Sequence, residues 1–278
     1  MSQYFFPNQS PETQELEMRF RQEAQKLPEP SRLVLYEVLS SCCPTFIPTR
    51  FSTVQNMVIA SQCGVEIAFP SPVPPVILSH IIFGYEEWLR RKYCLPWFVE
   101  VEGGDIVVDC GAYIGGFAMS AARVATSVLA FEPDVANFQC LLRNQTALGN
   151  VTCNNVGLFC ESTIMKLNIS GSSVEHSLLM PDDGPPIETR DIRVLALADY
   201  CRNNKVDRLD FVKIEAEGAE LEVFDGLAGA RPRKLAIDVS PERDGKSPAD
   251  EFRLRLAACG YTVRQRGHVM FARRNECQ

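Results

Sequence analysis

The chain has 278 residues, of which 46% are hydrophobic and 23% are charged, and its formal net charge is −7 at pH 7. This composition is ordinary for globular proteins and excludes collagen, coiled coil and intrinsic disorder as descriptions of the whole chain. An acidic chain is a poor ligand for a phosphate backbone, so we expect no nucleic-acid partner.

The cysteines and the apolar segments indicate the cellular compartment of the protein. The eleven cysteines are scattered, and they form no CxxC pair and no Cys/His cluster with zinc spacing. The first residues, MSQYFFPNQSPETQ, lack the basic and apolar regions of a signal peptide, and no apolar stretch reaches the ~20 residues of a membrane span. We therefore expect a reduced, cytoplasmic protein without a membrane partner.

Residues 1–95 are predicted to form an N-terminal extension of helices and irregular chain. A hydroxyl, a proline and an acidic residue open the segment Ser10–Lys26, which is typical of a helix start. Ser31 is expected to cap a second helix, after prolines have ended the first. The four prolines of Phe69–Pro75 predict an extended segment that leads into a helix at Ile81–Lys92.

From residue 96 onward, short β-branched runs alternate with helical patterns, which indicates a parallel sheet flanked by helices. A side strand is expected at Ile164–Ile169, followed by a loop over Ser170–Pro186. The other predicted strands are Ile106–Val108, Val128–Phe131, Val151–Asn154, Leu209–Ile214, Leu235–Val239, Tyr261–Arg264 and Val269–Ala272. The predicted helices cover about Gly116–Val124, Val135–Leu148 and Ala219–Phe224.

A glycine-rich turn follows the first of these strands, in the segment VVDCGAYIGG. The strand ends near Asp109, the chain turns through Gly111, and a helix begins near Gly116. Glycine allows a backbone to approach a ligand closely and to adopt positive φ. The spacing is not GxGxxG, so a dinucleotide fingerprint is not matched. The alternative interpretation is a tight strand-to-helix turn that binds nothing.

The second strand ends in AFEPD, which places Glu132 about 20 residues beyond the glycine turn. A carboxylate at this position can accept hydrogen bonds from both ribose hydroxyls of an adenosine ligand. Alternatively, Glu132 and Asp134 are acidic caps of the helix that begins near Val135. Both motifs follow parallel strands, where such sheets bind their ligands.

A third group of polar residues leaves a buried strand in the segment DFVKIEAEGAELEVFDG. In an extended chain Lys213, Glu215 and Glu217 point to one side. Ionisable groups that leave a buried strand together are costly unless they pair or serve a site. A structural salt bridge of Lys213 and helix-capping carboxylates would also explain them.

Taken in order, these three segments resemble the FkbM family of S-adenosylmethionine-dependent methyltransferases, whose usual forms read roughly DxGANxG, EP and KIDVEGAE. The resemblance covers roughly residues 100–274. It implies a Rossmann-like class I methyltransferase fold, with a doubly wound, seven-stranded, mostly parallel sheet and the N-terminal helical extension attached. The usual residues of the family are replaced at three positions: Tyr113 stands for Asn, Glu215 for Asp, and Asp238 for Glu.

The resemblance also implies S-adenosylmethionine as the cofactor, bound over the ends of the first three strands. Asp109 is then expected near the methionine amino end, and Glu132 is expected to hold the ribose. The full set of implied cofactor-binding residues is Asp109, Gly111, Ala112, Tyr113, Gly115, Glu132, Asn155 and Val156.

Methyl transfer from a sulfonium requires in-line alignment, and a neutral hydroxyl acceptor also needs a base or a metal. We take Glu215, Lys213 and His176 as the catalytic candidates. His176 lies in the loop after the side strand, where a plain surface histidine is the competing interpretation. Glu217 and Asp238 are additional carboxylates, which can act as a base or, with Glu215, hold a hard cation. We expect no bound metal.

The sequence thus predicts an S-adenosylmethionine-dependent methyltransferase that methylates a hydroxyl of a small metabolite, natural-product or sugar-like intermediate. The N-terminal extension is expected to cover the acceptor pocket or to build a homodimer. Two alternatives are a nucleotide-cofactor oxidoreductase and a catalytically inactive module that binds S-adenosylmethionine. The missing GxGxxG and the KIEAEGAE segment disfavour the first, whereas the replacements at Tyr113 and Glu215 are what the second would explain.

Overall fold

In the computed structural model the chain divides into two compact units, Met1–Leu89 and Arg90–Gln278. The structure describes residues 11–169, 177–178, 188–243 and 245–275. No helix among these residues is both long and apolar enough to cross a membrane. The ten cysteines that lie within them are all free thiols.

The first unit contains helices and a small antiparallel sheet. Its elements are α1 (Pro11–Gln25), α2 (Glu29–Cys42), β1 (Arg50–Val54), β2 (Met57–Gln62), β3 (Val65–Pro70) and most of α3 (Pro75–Tyr93). The sheet has the order β1-β2-β3 and was not predicted. Its two hairpin turns have two residues each, and Gln55, Cys63 and Gly64 have positive φ there. The Cys63-Gly64 pair is the only part of this pattern that resembles a favoured hairpin turn, so the signal was weak.

Two helix starts in the first unit differ from the prediction. Ser31 is not a cap: α2 already begins at Glu29, after Pro28, and Pro30 occupies its first turn. Proline is tolerated there because the first amide groups of a helix have no partner within it. For the same reason α3 begins at Pro75, well before the predicted Ile81, and it is interrupted at Gly84, where φ is 96°.

The second unit is built on a seven-stranded sheet with the order β12-β13-β11-β10-β4-β5-β6. The strands are β4 (Ile106–Cys110), β5 (Ser127–Phe131), β6 (Val151–Asn154), β10 (Phe211–Ile214), β11 (Lys234–Asp238), β12 (Tyr261–Arg266) and β13 (Val269–Arg274). The five strands from β11 to β6 are parallel, and β13 pairs antiparallel to both β11 and β12. The predicted fold class, a seven-stranded and mostly parallel α/β sheet, is confirmed.

Helices connect these strands, and a second, three-stranded sheet lies outside the main one. The helices are α4 (Gly116–Ala122), α5 (Val135–Gln145), α6 (Leu197–Asn204), α7 (Glu220–Asp225) and α8 (Ala249–Ala258). The small sheet has the order β7-β9-β8 and consists of β7 (Gly157–Leu158), β8 (Thr163–Ile169) and β9 (Glu188–Leu195). The side strand at Ile164–Ile169 is therefore confirmed, whereas β7, β9, α6 and α8 were not predicted. The predicted loop over Ser170–Pro186 lies largely outside the described residues.

The central strands of the main sheet are buried on both faces, which explains why they are nearly continuous apolar runs. All four residues of β10 are buried, and so are all five of β11. The charged exceptions are informative: Asp109, Lys213 and Asp238 are buried near the carboxyl ends of β4, β10 and β11. Because these strands are parallel neighbours, their carboxyl ends meet at one edge of the sheet.

Candidate active site

The turn after β4 depends on glycine at two positions. Gly111 has a φ of 69°, and a Cβ there would overlap the carbonyl oxygen of Glu215 on the neighbouring strand end. Gly115 has a φ of 86° and precedes α4, where a Cβ would overlap the side chains of Gln145 and Leu141. The two glycines therefore let the β4 turn pack directly against the chain that follows β10 and against α5.

Glu132 connects this turn to the end of β5. Its side chain is buried, and its Oε2 accepts a hydrogen bond of 2.8 Å from the amide of Tyr113. Its Oε1 accepts a bond of 2.9 Å from the amide of Asp134. Burial raises the pKa of Glu132 to about 8, although these amide donors oppose the shift. Tyr113 itself has a φ of 52°, a conformation that Asn, the usual residue of the resembling motif, adopts more readily.

Of the two acidic residues in AFEPD, Asp134 caps the start of α5 and Glu132 does not. The Asp134 carboxylate accepts bonds from the amides of Ala136 and Asn137 at the start of α5. The loop after β6 also contacts the end of β5, because the Asn155 side chain donates a hydrogen bond of 2.9 Å to the carbonyl oxygen of Glu132. Val156, the next residue, is buried.

A chain of alternating charges runs across the carboxyl ends of β4, β10 and β11. Lys213 Nζ lies 3.0 Å from Asp109 Oδ1 and 3.1 Å from Glu215 Oε2. Lys92 Nζ lies 2.6 Å from Glu215 Oε1 and 2.9 Å from Asp238 Oδ2. The order along this charge chain is Asp109, Lys213, Glu215, Lys92 and Asp238, with three carboxyl groups and two ammonium groups, and burial raises the pKa of Asp109.

The protonation of these groups follows from their pairing. Burial alone would raise the pKa of Glu215, but Lys92 and Lys213 together hold it well below its usual range. Burial would lower the pKa of Lys213, yet Asp109 and Glu215 outweigh that effect and raise it. Glu215 therefore stays ionised and Lys213 stays protonated at neutral pH. Such a carboxylate is a weak proton acceptor but a stable negative charge.

More carboxylates crowd the loops that follow β10 and β11. Burial, together with repulsion from neighbouring carboxylates, raises the pKa of Glu217 well above its usual value and that of Glu242 to about 9. Burial also raises the pKa of Glu220 to about 7, although its Oε1 accepts bonds from the amides of Ala216 and Gly218. The chain that follows β10 and β11 thus holds carboxyl groups whose pKa values are raised by burial.

The structure brings together most of the residues that the sequence singled out. Asp109, Lys213 and Glu215 are in direct contact, and Asp238 joins them through Lys92. His176 lies outside the described residues. Lys92 was not predicted from the sequence. Its only signal there is its position in the last turn of a helix, where a basic residue usually compensates the helix dipole.

Among the residues that the structure describes, no group of three or more His, Cys, Asp or Glu side chains is arranged to hold a metal ion. Asp109, Glu215 and Asp238 are instead paired with Lys213 or Lys92, and Glu220 accepts bonds from backbone amides. The hypothesis of a hard cation held by Glu215, Glu217 and Asp238 therefore has no geometric support in this part of the chain.

A family model described as "Methyltransferase FkbM domain" matches residues 109–263, which is more than half of the chain. The chain is 27% identical to "Methyltransferase sdnD" of Sordaria araneosa, over 44% of this chain and 60% of that protein. It is 25% identical to "31-O-demethyl-FK506 methyltransferase FkbM" of Streptomyces tacrolimicus, over 68% of this chain and 85% of that protein. It is 28% identical to "Hexuronic acid methyltransferase AglP" of Haloferax volcanii, over 47% of this chain and 53% of that protein. The chain thus spans less than two thirds of the length of two of these three relatives.

Proposed function

The chain belongs to the FkbM methyltransferase family, and on that premise we propose that it transfers a methyl group from S-adenosylmethionine to a hydroxyl group. The acceptor we propose is a small metabolite, natural-product or sugar-like intermediate. The observation that carries this proposal is the meeting of the three motifs at one edge of the sheet. There the glycine turn contacts Glu132 through Tyr113 and contacts Glu215 through Gly111.

The residues at this edge fit the adenosyl group of S-adenosylmethionine. A carboxylate offers about four acceptor positions, and the amides of Tyr113 and Asp134 and the Asn137 side chain take three of them, so ionised Glu132 can accept one ribose hydroxyl. We assign Glu132 to the ribose and Asn155 and Val156 to the adenine side. We assign Asp109 to the methionine end, where Gly111, Ala112 and Gly115 form the turn.

When bound, the cofactor supplies an electrophilic methyl group on a positively charged sulfur. We assign to Glu215 a fixed negative charge that stabilises this positive side, since its pairing with two lysines keeps it ionised. Lys213 is protonated and positions Asp109 and Glu215, so in this proposal it is not a base. The proton of the acceptor hydroxyl then goes to another group, for which His176 and Glu217 are our candidates.

One relative is named for a 31-O-demethyl substrate, which supports an oxygen acceptor. Another is named for hexuronic acid, which supports a sugar-like acceptor without giving the acceptor atom. The acidic composition of the chain supports a small-molecule acceptor and no nucleic-acid partner. A cytoplasmic location and a homodimer stay predictions from the sequence.

The test is a binding measurement followed by a transfer screen. Calorimetry should show binding of S-adenosylhomocysteine and no comparable binding of NAD or FAD. Methyl-tritiated S-adenosylmethionine should then label members of a panel of uronic acids, sugars and polyketide alcohols. Binding of NAD without S-adenosylhomocysteine would favour an oxidoreductase. Binding of S-adenosylhomocysteine without transfer to any acceptor would favour an inactive cofactor-binding module.

A further inference from the structure

Lys92 is the member of the charge chain that no motif supplies. It lies in the last turn of α3, within the unit Arg90–Gln278, and its side chain is only 9% exposed. Its ammonium group bridges Glu215 Oε1 at 2.6 Å and Asp238 Oδ2 at 2.9 Å. Burying a lysine is costly unless its charge is paired, and here both partners are themselves largely buried.

The pairing fixes two carboxylates that lie on adjacent strand ends. The two oxygens of Glu215 are held by different lysines, Oε1 by Lys92 and Oε2 by Lys213. Asp238 is held by Lys92 at Oδ2 and by the amide of Ser240, which donates to Oδ1 at 2.8 Å. Neither carboxylate can turn without losing a charged contact, so each has one preferred orientation.

We infer that Lys92 is a positioning residue for methyl transfer, which holds the carboxylates of Glu215 and Asp238 in one arrangement at the cofactor-binding edge of the sheet. This inference rests on the proposed function. Lys92 acts through Glu215, whose charge is assigned above to the positive sulfur side. Without Lys92, Glu215 retains only Lys213 as a cationic partner, and Asp238 loses the ammonium group that pairs with it.

The charge of Glu215 should respond measurably to the loss of Lys92. Several ionisable groups from different elements influence this carboxylate. They are Lys92 and Tyr93 at the end of α3, Lys213 on β10, Asp109 on β4, and Glu217 and Glu242 in the loops that follow β10 and β11. The two lysines are the groups that lower the pKa most strongly against burial. Removing one lysine should therefore raise the pKa of Glu215.

The experiment uses full-length protein with Lys92→Met and Lys92→Arg, and Lys166→Met as the matched control. Lys166 pairs with Asp191 at 2.9 Å, but both side chains are 68% exposed. Carbon-13 spectra of glutamate carboxylates, assigned with Glu215→Gln, report the titration of Glu215. In Lys92→Met the Glu215 midpoint should rise by at least one pH unit, and Lys92→Arg and Lys166→Met should leave it near the wild-type value.

Transfer is measured across pH with the acceptor found in the screen described above. Lys92→Met should lower the transfer rate at least tenfold and move its acidic limb to higher pH, with S-adenosylhomocysteine affinity within threefold of wild type. Lys92→Arg should restore most of the rate. An unchanged Glu215 midpoint, or an unchanged pH profile of transfer in Lys92→Met, would overturn the inference.

A second variant covers the case in which Lys92→Met does not fold. The double variant Lys92→Met/Asp238→Asn removes one charge of each sign, and Asn can still accept the bond from Ser240. A folded double variant with a raised Glu215 midpoint and slow transfer supports the inference, and wild-type transfer contradicts it. If the wild-type protein binds no S-adenosylhomocysteine, the proposed function fails, and the Glu215 titration still decides whether Lys92 sets that charge.

Discussion

Glu215 lies between two ammonium groups, and this arrangement decides how its substitution should behave. In Glu215→Gln, Lys213 retains Asp109 and Lys92 retains Asp238 as partners. Neither lysine is left uncompensated, so the loss of stability should be smaller than the ~3–5 kcal/mol that follows the breaking of a buried pair.

Transfer by Glu215→Gln should fall by roughly two decades if the fixed negative charge acts in the reaction. Thermal unfolding and labelled methyl transfer, measured on the same preparation, separate the two effects. A variant with normal melting and normal turnover would exclude both the catalytic and the structural role. Glu217 and His176 would then be the next residues to test.

Glu132 should matter for cofactor binding and also for stability, because the amides of Tyr113 and Asp134 would lose their acceptor. Glu132→Ala removes the carboxylate that we assign to a ribose hydroxyl, and losing such a bond should cost ~1.5–3 kcal/mol, roughly one to two decades in affinity. Calorimetry with S-adenosylhomocysteine measures this loss. Glu251→Ala is the control, because Glu251 is an exposed carboxylate on α8 that pairs with Arg255. A folded Glu132→Ala protein with wild-type affinity would mean that the ribose is held elsewhere.

The turn after β4 and the end of β10 touch backbone to backbone at Gly111. A Cβ at this position would overlap the Glu215 carbonyl oxygen, and the φ of 69° is strained for alanine. Gly111→Ala should therefore destabilise the protein by ~2–4 kcal/mol, which combines overpacking with left-handed backbone strain. Gly104→Ala is the matched control, because Gly104 also has positive φ, at 91°, but no atom lies within 4 Å of its Cβ position. Chemical denaturation should separate the two variants clearly, and equal losses would contradict the close approach.

The loops after β10 and β11 should make stability depend on pH. The pKa of Glu242 is raised from 4.5 to about 9 in the folded protein, so the folded state binds more protons than the unfolded state between these values. The free energy of unfolding should therefore decrease as the pH rises through this window. Glu242→Gln should flatten the decrease, and Glu251→Gln, on the surface of α8, should not. Denaturation midpoints from pH 5 to pH 9 test this, and an unchanged slope in Glu242→Gln would contradict the assignment.

The motifs and the charge chain all lie in the second unit. Arg90–Gln278 contains the seven-stranded sheet and also Lys92. A chain that begins at Arg90 is therefore expected to keep S-adenosylhomocysteine binding and to lose methyl transfer, if the first unit serves the acceptor as predicted. Calorimetry and the transfer assay measure these two consequences, and light scattering reports the oligomeric state. Full activity of the shortened chain as a monomer would remove both predicted roles of the first unit.

The sequence determined the main sheet and the motif residues, because both depend on local patterns. Buried parallel strands such as β4 and β10 must be apolar on both faces, and the glycine turn and the carboxylates must follow them directly. The predicted strands therefore correspond closely to the observed ones. The sheet β1-β2-β3 escaped prediction because its strands have weak alternation, and its turns use Gln55 and Cys63 at positive φ instead of the favoured residues.

Tertiary structure alone decided the protonation and the pairing of the site. Lys92 is 123 residues from Glu215 along the chain, and a lysine in the last turn of a helix normally faces water. Only the folded chain places it between Glu215 and Asp238, where it changes Glu215 from a candidate base into a fixed charge. The physical reason is that a pKa depends on burial and on charges within a few ångströms, and a sequence does not contain those distances.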